Sequence, residues 1–155
     1  MQPDLSPRPQ TILLVEDNPD DHEATVRALR RANMSNPVVW SQSGEEALEQ
    51  LRGKDGGEPL KPGMVLLDLN MSGLDGRQTL QIIKDDPALK WIPVIILTTS
   101  GDERDVDSTY QAGANSYIQK PVSFDGLIDA LKRLKGYWFE LALLPRNGDG
   151  DAKTS

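Results

Sequence analysis

The chain has 155 residues, a formal net charge of −7, no cysteine and one histidine. That length suits one domain whose core needs no staple, and the missing cysteines exclude a disulfide framework and thiolate chemistry, which points to a reducing, cytoplasmic setting. The acidic balance argues against a nucleic-acid surface, and no apolar run is long enough to span a membrane.

Residues 1–10 carry Pro3, Pro7 and Pro9 and no apolar core, so they read as a disordered leader and not a targeting signal. Thr11-Ile12-Leu13-Leu14-Val15 is an unbroken apolar run, the pattern of a strand buried on both faces, and it ends in Glu16-Asp17. Pro19 with Asp20, Asp21 and Glu23 opens a helix that Val26, Leu29 and Ala32 or Asn33 continue. His22 lies in its first turn and reads as a solvated helix residue; alone it supports neither a zinc site nor a Ser-His pair. Val38-Val39-Trp40 is a weaker strand near the sheet edge. Ser43 with Glu46 fits a capping box for a second helix, whose buried stripe is Ala47, Leu48 and Leu51. Residues 53–63 form a loop of Gly, Pro and charge, with no Gly-Lys-Ser/Thr to cradle phosphate.

Met64-Val65-Leu66-Leu67 is the next apolar run, and Asp68 stands at its end, before the turn Ser72-Gly73-Leu74-Asp75-Gly76. A helix over 76–86 follows, with Thr79, Leu80 and Ile83 inward, and Asp86-Pro87 ends it. Pro93-Val94-Ile95-Ile96-Leu97 is a fourth strand, ending in Thr98. Asp102-Glu103 starts a short helix with thin apolar content, chiefly Val106, Tyr110 and Ala112. Residues 114–119 form a fifth strand ending in Lys120-Pro121, and Ser123 caps a last helix burying Leu127, Ile128, Leu131 and Leu134.

Strands alternating with helices imply a parallel sheet covered on both faces, with ligands beyond the carboxyl ends of the strands. A lone Asp68 would ordinarily be a turn starter. Buried strands that also end in Glu16-Asp17, Thr98 and Lys120 turn that rim into a site. Its donors are all oxygens, which suits a hard ion; Mg²⁺ is expected on Asp17 and Asp68, with Glu16 as a further candidate. Asp68 is then a nucleophile, Lys120 a point charge and Thr98 a hydroxyl donor, the groups that phosphoryl transfer needs. Asn70 stands where an aspartate-based phosphohydrolase would want a general acid.

Leu14-Val15-Glu16-Asp17-Asn18, Leu67-Asp68-Leu69-Asn70-Met71 with Asp75-Gly76, Leu97-Thr98-Thr99 and Lys120-Pro121 together resemble the receiver domain of two-component response regulators over 11–135. The resemblance implies a flavodoxin-like (βα)5 fold with strand order 2-1-3-4-5, an order the general rule for such sheets already describes for this group. It also implies phosphorylation of Asp68 by a sensor histidine kinase, with Glu16 and Asp17 as metal acids and the Asn70 carbonyl as a further ligand. Thr98 and Tyr117 would form a switch pair, Lys120 would bind a phosphoryl oxygen, and the Lys120–Pro121 bond would be cis. Glu16 replaces the family's usual Asp, and Ser72 its usual Pro.

Residues 136–146 continue past the last helix with Tyr137, Trp138 and Phe139 in a row, and 147–155 read as a disordered tail. Adjacent aromatics cannot all face one core, so they suggest a homodimer surface. This ending, with Asp68-Leu69-Asn70 and Leu97-Thr98-Thr99-Ser100, resembles the stand-alone regulators paired with bacteriophytochromes. The reading is a phosphoacceptor signalling protein that is not an enzyme. The alternatives are an aspartate-based phosphohydrolase, a kinase partner other than a phytochrome, or an unphosphorylated pseudo-receiver.

Overall fold

Each apolar run becomes a strand: β1 (Ile12–Val15), β2 (Val38–Ser41), β3 (Met64–Leu67), β4 (Val94–Thr98) and β5 (Ser116–Gln119). The computed structural model describes residues 10–137. Between and after the strands lie α1 (Pro19–Arg31), α2 (Gly44–Arg52), α3 (Gly76–Asp85), α4 (Glu103–Gln111) and α5 (Phe124–Lys135). The strands form one parallel sheet in the order β2-β1-β3-β4-β5, as the alternation and the resemblance imply. Residues 1–9 and 138–155, including most of the expected leader, the tail, Trp138 and Phe139, lie outside the described residues.

The pleat divides the core in two. Leu13, Val15, Val65, Leu67, Val94 and Ile96 face α2 and α3. Ile12, Leu14, Met64, Leu66, Ile95 and Leu97 face α1 and α5. β1, β3 and β4 are buried along their length, and each large side chain removed from water there contributes about 1.5–3 kcal/mol. The edge strands β2 and β5 are only half-buried, which is why their sequences admit Trp40, Ser116 and Gln119. Val15 pairs with Leu67, so Glu16 and Asp68 leave neighbouring strands at the same height.

Several local expectations need correction. Ser43 does cap α2, accepting from Glu46 N at 3.0 Å, but the Glu46 carboxylate accepts from Gln42 N and so completes no reciprocal box. The reciprocal capping box belongs to α3, where Asp75 Oδ1 accepts from Gln78 N at 3.0 Å and Gln78 Oε1 accepts from Asp75 N at 3.1 Å. In α4 the buried residue is Thr109, whose hydroxyl donates to the Asp105 carbonyl at 2.7 Å; that internal bond lets a polar residue turn inward while Tyr110 stays 47% exposed. His22 is not simply solvated: its ring stacks on Trp40 with centroids 3.8 Å apart. The Lys120–Pro121 bond is trans, as is every peptide bond among the described residues. The trans preference of an X–Pro bond is only about 0.5–1 kcal/mol, so residue identity alone does not choose between the isomers.

The start of α3 lies directly on the backbone of the rim. Gly76 N donates to the Leu69 carbonyl at 3.0 Å. A Cβ at Gly76 would overlap the Asp68 carbonyl oxygen and come within 2.6 Å of Leu69 Cα. Gly76→Ala is expected to lower the unfolding free energy by about 1–3 kcal/mol, read as a lower urea midpoint. An unchanged midpoint would contradict so close an approach.

Candidate functional site

The carboxyl ends of β1, β3, β4 and β5 meet at one rim. Glu16 is 2% and Asp68 8% exposed, and Thr98 is fully buried. Two buried carboxylates side by side require compensation, and Lys120 supplies it. Its Nζ lies 2.8 Å from Glu16 Oε1, 3.6 Å from Asp21 Oδ2 and 4.0 Å from Asp68 Oδ2. The backbone places it, because Lys120 N donates to the Thr98 carbonyl at 2.7 Å and so locks the end of β5 to that of β4.

Glu16 is held from several sides. Its Oε2 accepts from Asn18 N at 3.2 Å, and its carbonyl accepts from Trp40 Nε1 at 2.7 Å. Burial pushes its carboxyl up to about 7, against the opposing pull of Lys120, and the nearby Asp68 charge adds to the rise. Burial works against a charged Lys120 too. There the hydrogen bond to Glu16 and the charges of Glu16, Asp68 and Asp21 outweigh it and raise the ammonium's pKa.

The remaining rim residues attach through loops. Asp17 Oδ2 accepts from Ser72 N at 3.1 Å and from Ser72 Oγ at 3.2 Å, stitching the loop after β1 to the loop after β3. Asp68 Oδ1 accepts from Asn70 N at 3.3 Å. Asn70 Nδ2 reaches Thr98 Oγ1 at 3.4 Å, which links Thr98 to the Asp68 loop. Tyr117 is half-buried, and its hydroxyl donates to the Ser100 carbonyl at 2.8 Å. Burial raises its pKa first of all, with the bond to Ser100 opposing.

Of the residues the sequence nominates, Glu16, Asp68 and Lys120 form one cluster. Asn70 and Thr98 border it, Asp17 faces Ser72, and Tyr117 is joined to the rim through Ser100. Tyr137, just beyond α5, is 58% exposed. Asp21, Ser72 and Trp40 join the site unannounced. Asp21 reads as a helix-start acid, Ser72 as a looser turn and Trp40 as a strand residue until the fold brings them in.

The carboxylates fit a hard cation in kind, since every donor is an oxygen. Among the described residues, no three carboxylate or imidazole groups are gathered in metal-binding geometry. Glu16 is engaged by Lys120 and Asp17 by Ser72. Burial first of all, with the Asp68 charge adding, disfavours the charged Glu16 carboxylate, and a divalent ion beside it would favour that form.

A buried carboxylate at a strand end, an ammonium beside it and a hydroxyl on the next strand stand together at the rim of a doubly wound sheet. The chain belongs to the response regulator receiver domain family, whose model matches residues 12–132. Among its relatives, Response regulator Rcp1 of Synechocystis sp. is 35% identical over 144 residues, covering 92% of this chain and 97% of that one. The Probable methanogenesis regulatory protein FilR2 of Methanothrix harundinacea is 40% identical over 130 residues, 84% of each chain. The phosphorylated cyanobacterial phytochrome response regulator RcpA superposes with a TM-score of 0.81 at 36% identity, over 90% of this chain and 100% of that one. The Mn²⁺-bound form of Rcp1 gives 0.79 at 33% identity, over 89% and 100% of the chains. The protein is therefore a response regulator receiver related to phytochrome response regulators. No helix among the described residues is long and apolar enough to cross a membrane.

The Glu16 shift has a sign that can be tested. With its carboxyl raised from an ordinary 4.5 to about 7, the folded protein holds a proton there that the unfolded chain releases. The resulting stability is complete below pH 4.5 and is lost as pH rises through about 7. The melting temperature of Glu16→Gln is expected to fall less than that of the wild type between about pH 5 and about pH 8. Parallel profiles would refute the shift.

Proposed function

We propose that Asp68 is the phosphoacceptor of this receiver. The observation that carries the reading is the Asp68 carboxylate at the sheet rim, 4.0 Å from Lys120 Nζ and coupled through Asn70 to the Thr98 hydroxyl. An Asp68 oxygen attacks the phosphorus of a phosphohistidine. The new O–P bond forms as the N–P bond breaks, and the departing imidazole takes up a proton. Lys120 is placed to neutralise one phosphoryl oxygen, and Thr98 to donate a hydrogen bond to another.

Glu16, Asp17, Asp68 and the Asn70 carbonyl are the groups that would hold Mg²⁺, which supplies charge neutralisation at the phosphoryl oxygens. Glu16 and Asp17, engaged here by Lys120 and Ser72, would exchange those partners for the ion. Thr98 and Tyr117 act as the switch pair. Asn70 supplies no general acid, so the phosphorylated state decays slowly, and the protein stores a signal instead of turning over substrate.

The phosphoryl donor is a sensor histidine kinase in the cytoplasm, and the likeness to RcpA and Rcp1 favours a bacteriophytochrome. The exposed Tyr137, with Trp138 and Phe139 after it in the chain, supports a homodimer formed through the end of α5.

Incubation with acetyl phosphate and Mg²⁺ is expected to add one phosphoryl mass to the wild type and none to Asp68→Asn, by intact-mass spectrometry. An adduct that survives Asp68→Asn sinks the assignment. Light scattering at micromolar concentration is expected to show a dimer that Tyr137→Ala weakens, whereas a wild-type monomer would remove the association surface.

A further inference from the structure

An apolar groove of about 390 Å³ opens at the end of the sheet opposite the rim, lined chiefly by Leu51, Leu60, Pro62, Leu89, Trp91 and Pro93. Pro62 and Pro93 lead into β3 and β4, which puts the groove at the amino ends of those strands. Its walls are pinned. Leu60 N donates to the Gln50 carbonyl of α2 at 2.8 Å. Lys84 Nζ, on α3, donates to the Lys90 and Ile92 carbonyls at 3.0 and 2.8 Å. Arg52 Nη2 and Asp86 Oδ2, 3.2 Å apart, tie the end of α2 to the end of α3. The groove is thus formed in advance, and Trp91 in its lining is 65% exposed. A preformed apolar cavity beside an exposed tryptophan is a surface built to be covered.

The chain supplies an occupant next to it. Gln10 lies against Gly63, so closely that a Cβ on the glycine would overlap the Gln10 side chain. The Gln10 carbonyl accepts from Asn36 Nδ2 at 2.8 Å. These contacts fix the point where residues 1–9 join the domain, beside the neighbour of Pro62. Nine extended residues reach about 30 Å. Residues 138–155 follow α5 instead, whose Leu134 packs in the α1–α5 layer, whereas Leu51, Leu60 and Leu89 belong to the α2–α3 layer.

The composition of this segment suits the groove. Met1, Pro3, Leu5, Pro7 and Pro9 are apolar, and Gln2, Asp4, Ser6, Arg8 and Gln10 between them are polar. Strict alternation gives an extended chain one apolar edge. Gln2, Ser6 and Arg8 each precede a proline, which holds them extended beforehand and lowers the cost of ordering them. Pro3, Pro7 and Pro9 have no N–H, so a groove that offers no open strand edge leaves fewer donors unpaired. We propose that residues 3–9 lie across this groove as a strap over the amino ends of β3 and β4, with Leu5, Pro7 and Pro9 turned toward Leu60, Pro62 and Trp91. The groove lies at the far end of the sheet from Asp68, so the strap is independent of the phosphoacceptor reading.

The sequence has no cysteine, so Ser6→Cys in the full chain takes a nitroxide label at a single site. Amide NMR spectra of that protein are expected to lose the signals of Leu60, Lys61 and Trp91, along with those of Asn36 and Gly63 where the segment joins the domain. Adding Leu5→Asp, which puts a charge on the apolar edge, should restore Leu60, Lys61 and Trp91 and leave Asn36 and Gly63 broadened. Asp4→Asn, on the polar edge, should change neither set. Trp91→Ala, at an exposed position, gives the reciprocal test and should restore Leu60 and Lys61. Broadening confined to Asn36 and Gly63, or groove broadening that Leu5→Asp leaves untouched, would overturn the strap. Mixing nitroxide-labelled protein with isotope-enriched protein that carries no nitroxide separates the sources. Groove broadening in that mixture would assign the groove to the leader of a second copy and overturn docking within one chain.

Discussion

The ammonium of Lys120 is the contact on which the rim depends. Without it, Glu16 and Asp68 would be two nearly buried carboxylates at the ends of adjacent strands, an arrangement that desolvation and mutual repulsion both oppose. Because buried ion pairs are a weak source of stability, this grouping is better explained by chemistry than by folding. Burial is also what raises the Glu16 carboxyl, with Lys120 pulling against it.

The scaffold exists to bring those groups to one height. Parallel register between β1 and β3 aligns Val15 with Leu67, so the next residue of each strand emerges at the same edge. The Lys120–Thr98 backbone bond does the same for β5 and β4. Gly76 then lets α3 begin against the Asp68–Leu69 backbone, and the Asp75–Gln78 box fixes that start. Ser72 completes the frame by holding Asp17. A residue that looks like a loss of turn rigidity thus closes one wall of the site.

Around this fixed centre the attachments grade from firm to light. Trp40 and Asn18 clasp Glu16, whereas the Thr98 hydroxyl is held only by long bonds. The Ser100 that follows it is held by bonds of 2.7 and 2.8 Å, to Asp105 and from Tyr117.

Residue order alone was enough for the architecture. Unbroken apolar runs in β1, β3 and β4 have few explanations other than strands buried on both faces, and their alternation with amphipathic helices leaves little topological choice. The polar endings Glu16, Asp68 and Thr98 were legible for the same reason, since each directly follows or closes such a run; Lys120 follows β5, which is only half-buried. The partners of those endings were not legible. That Glu16 takes Lys120, that Asp17 turns to Ser72, that His22 stacks on Trp40 and that Arg77 reaches Asp105 are contacts between side chains far apart in sequence. Periodicity reports which face a residue occupies, not which group meets it there. The same holds for the Lys120–Pro121 bond and for Thr109 in place of an apolar residue in α4. Differences of a kilocalorie or so decide such choices, and only packed neighbours supply them.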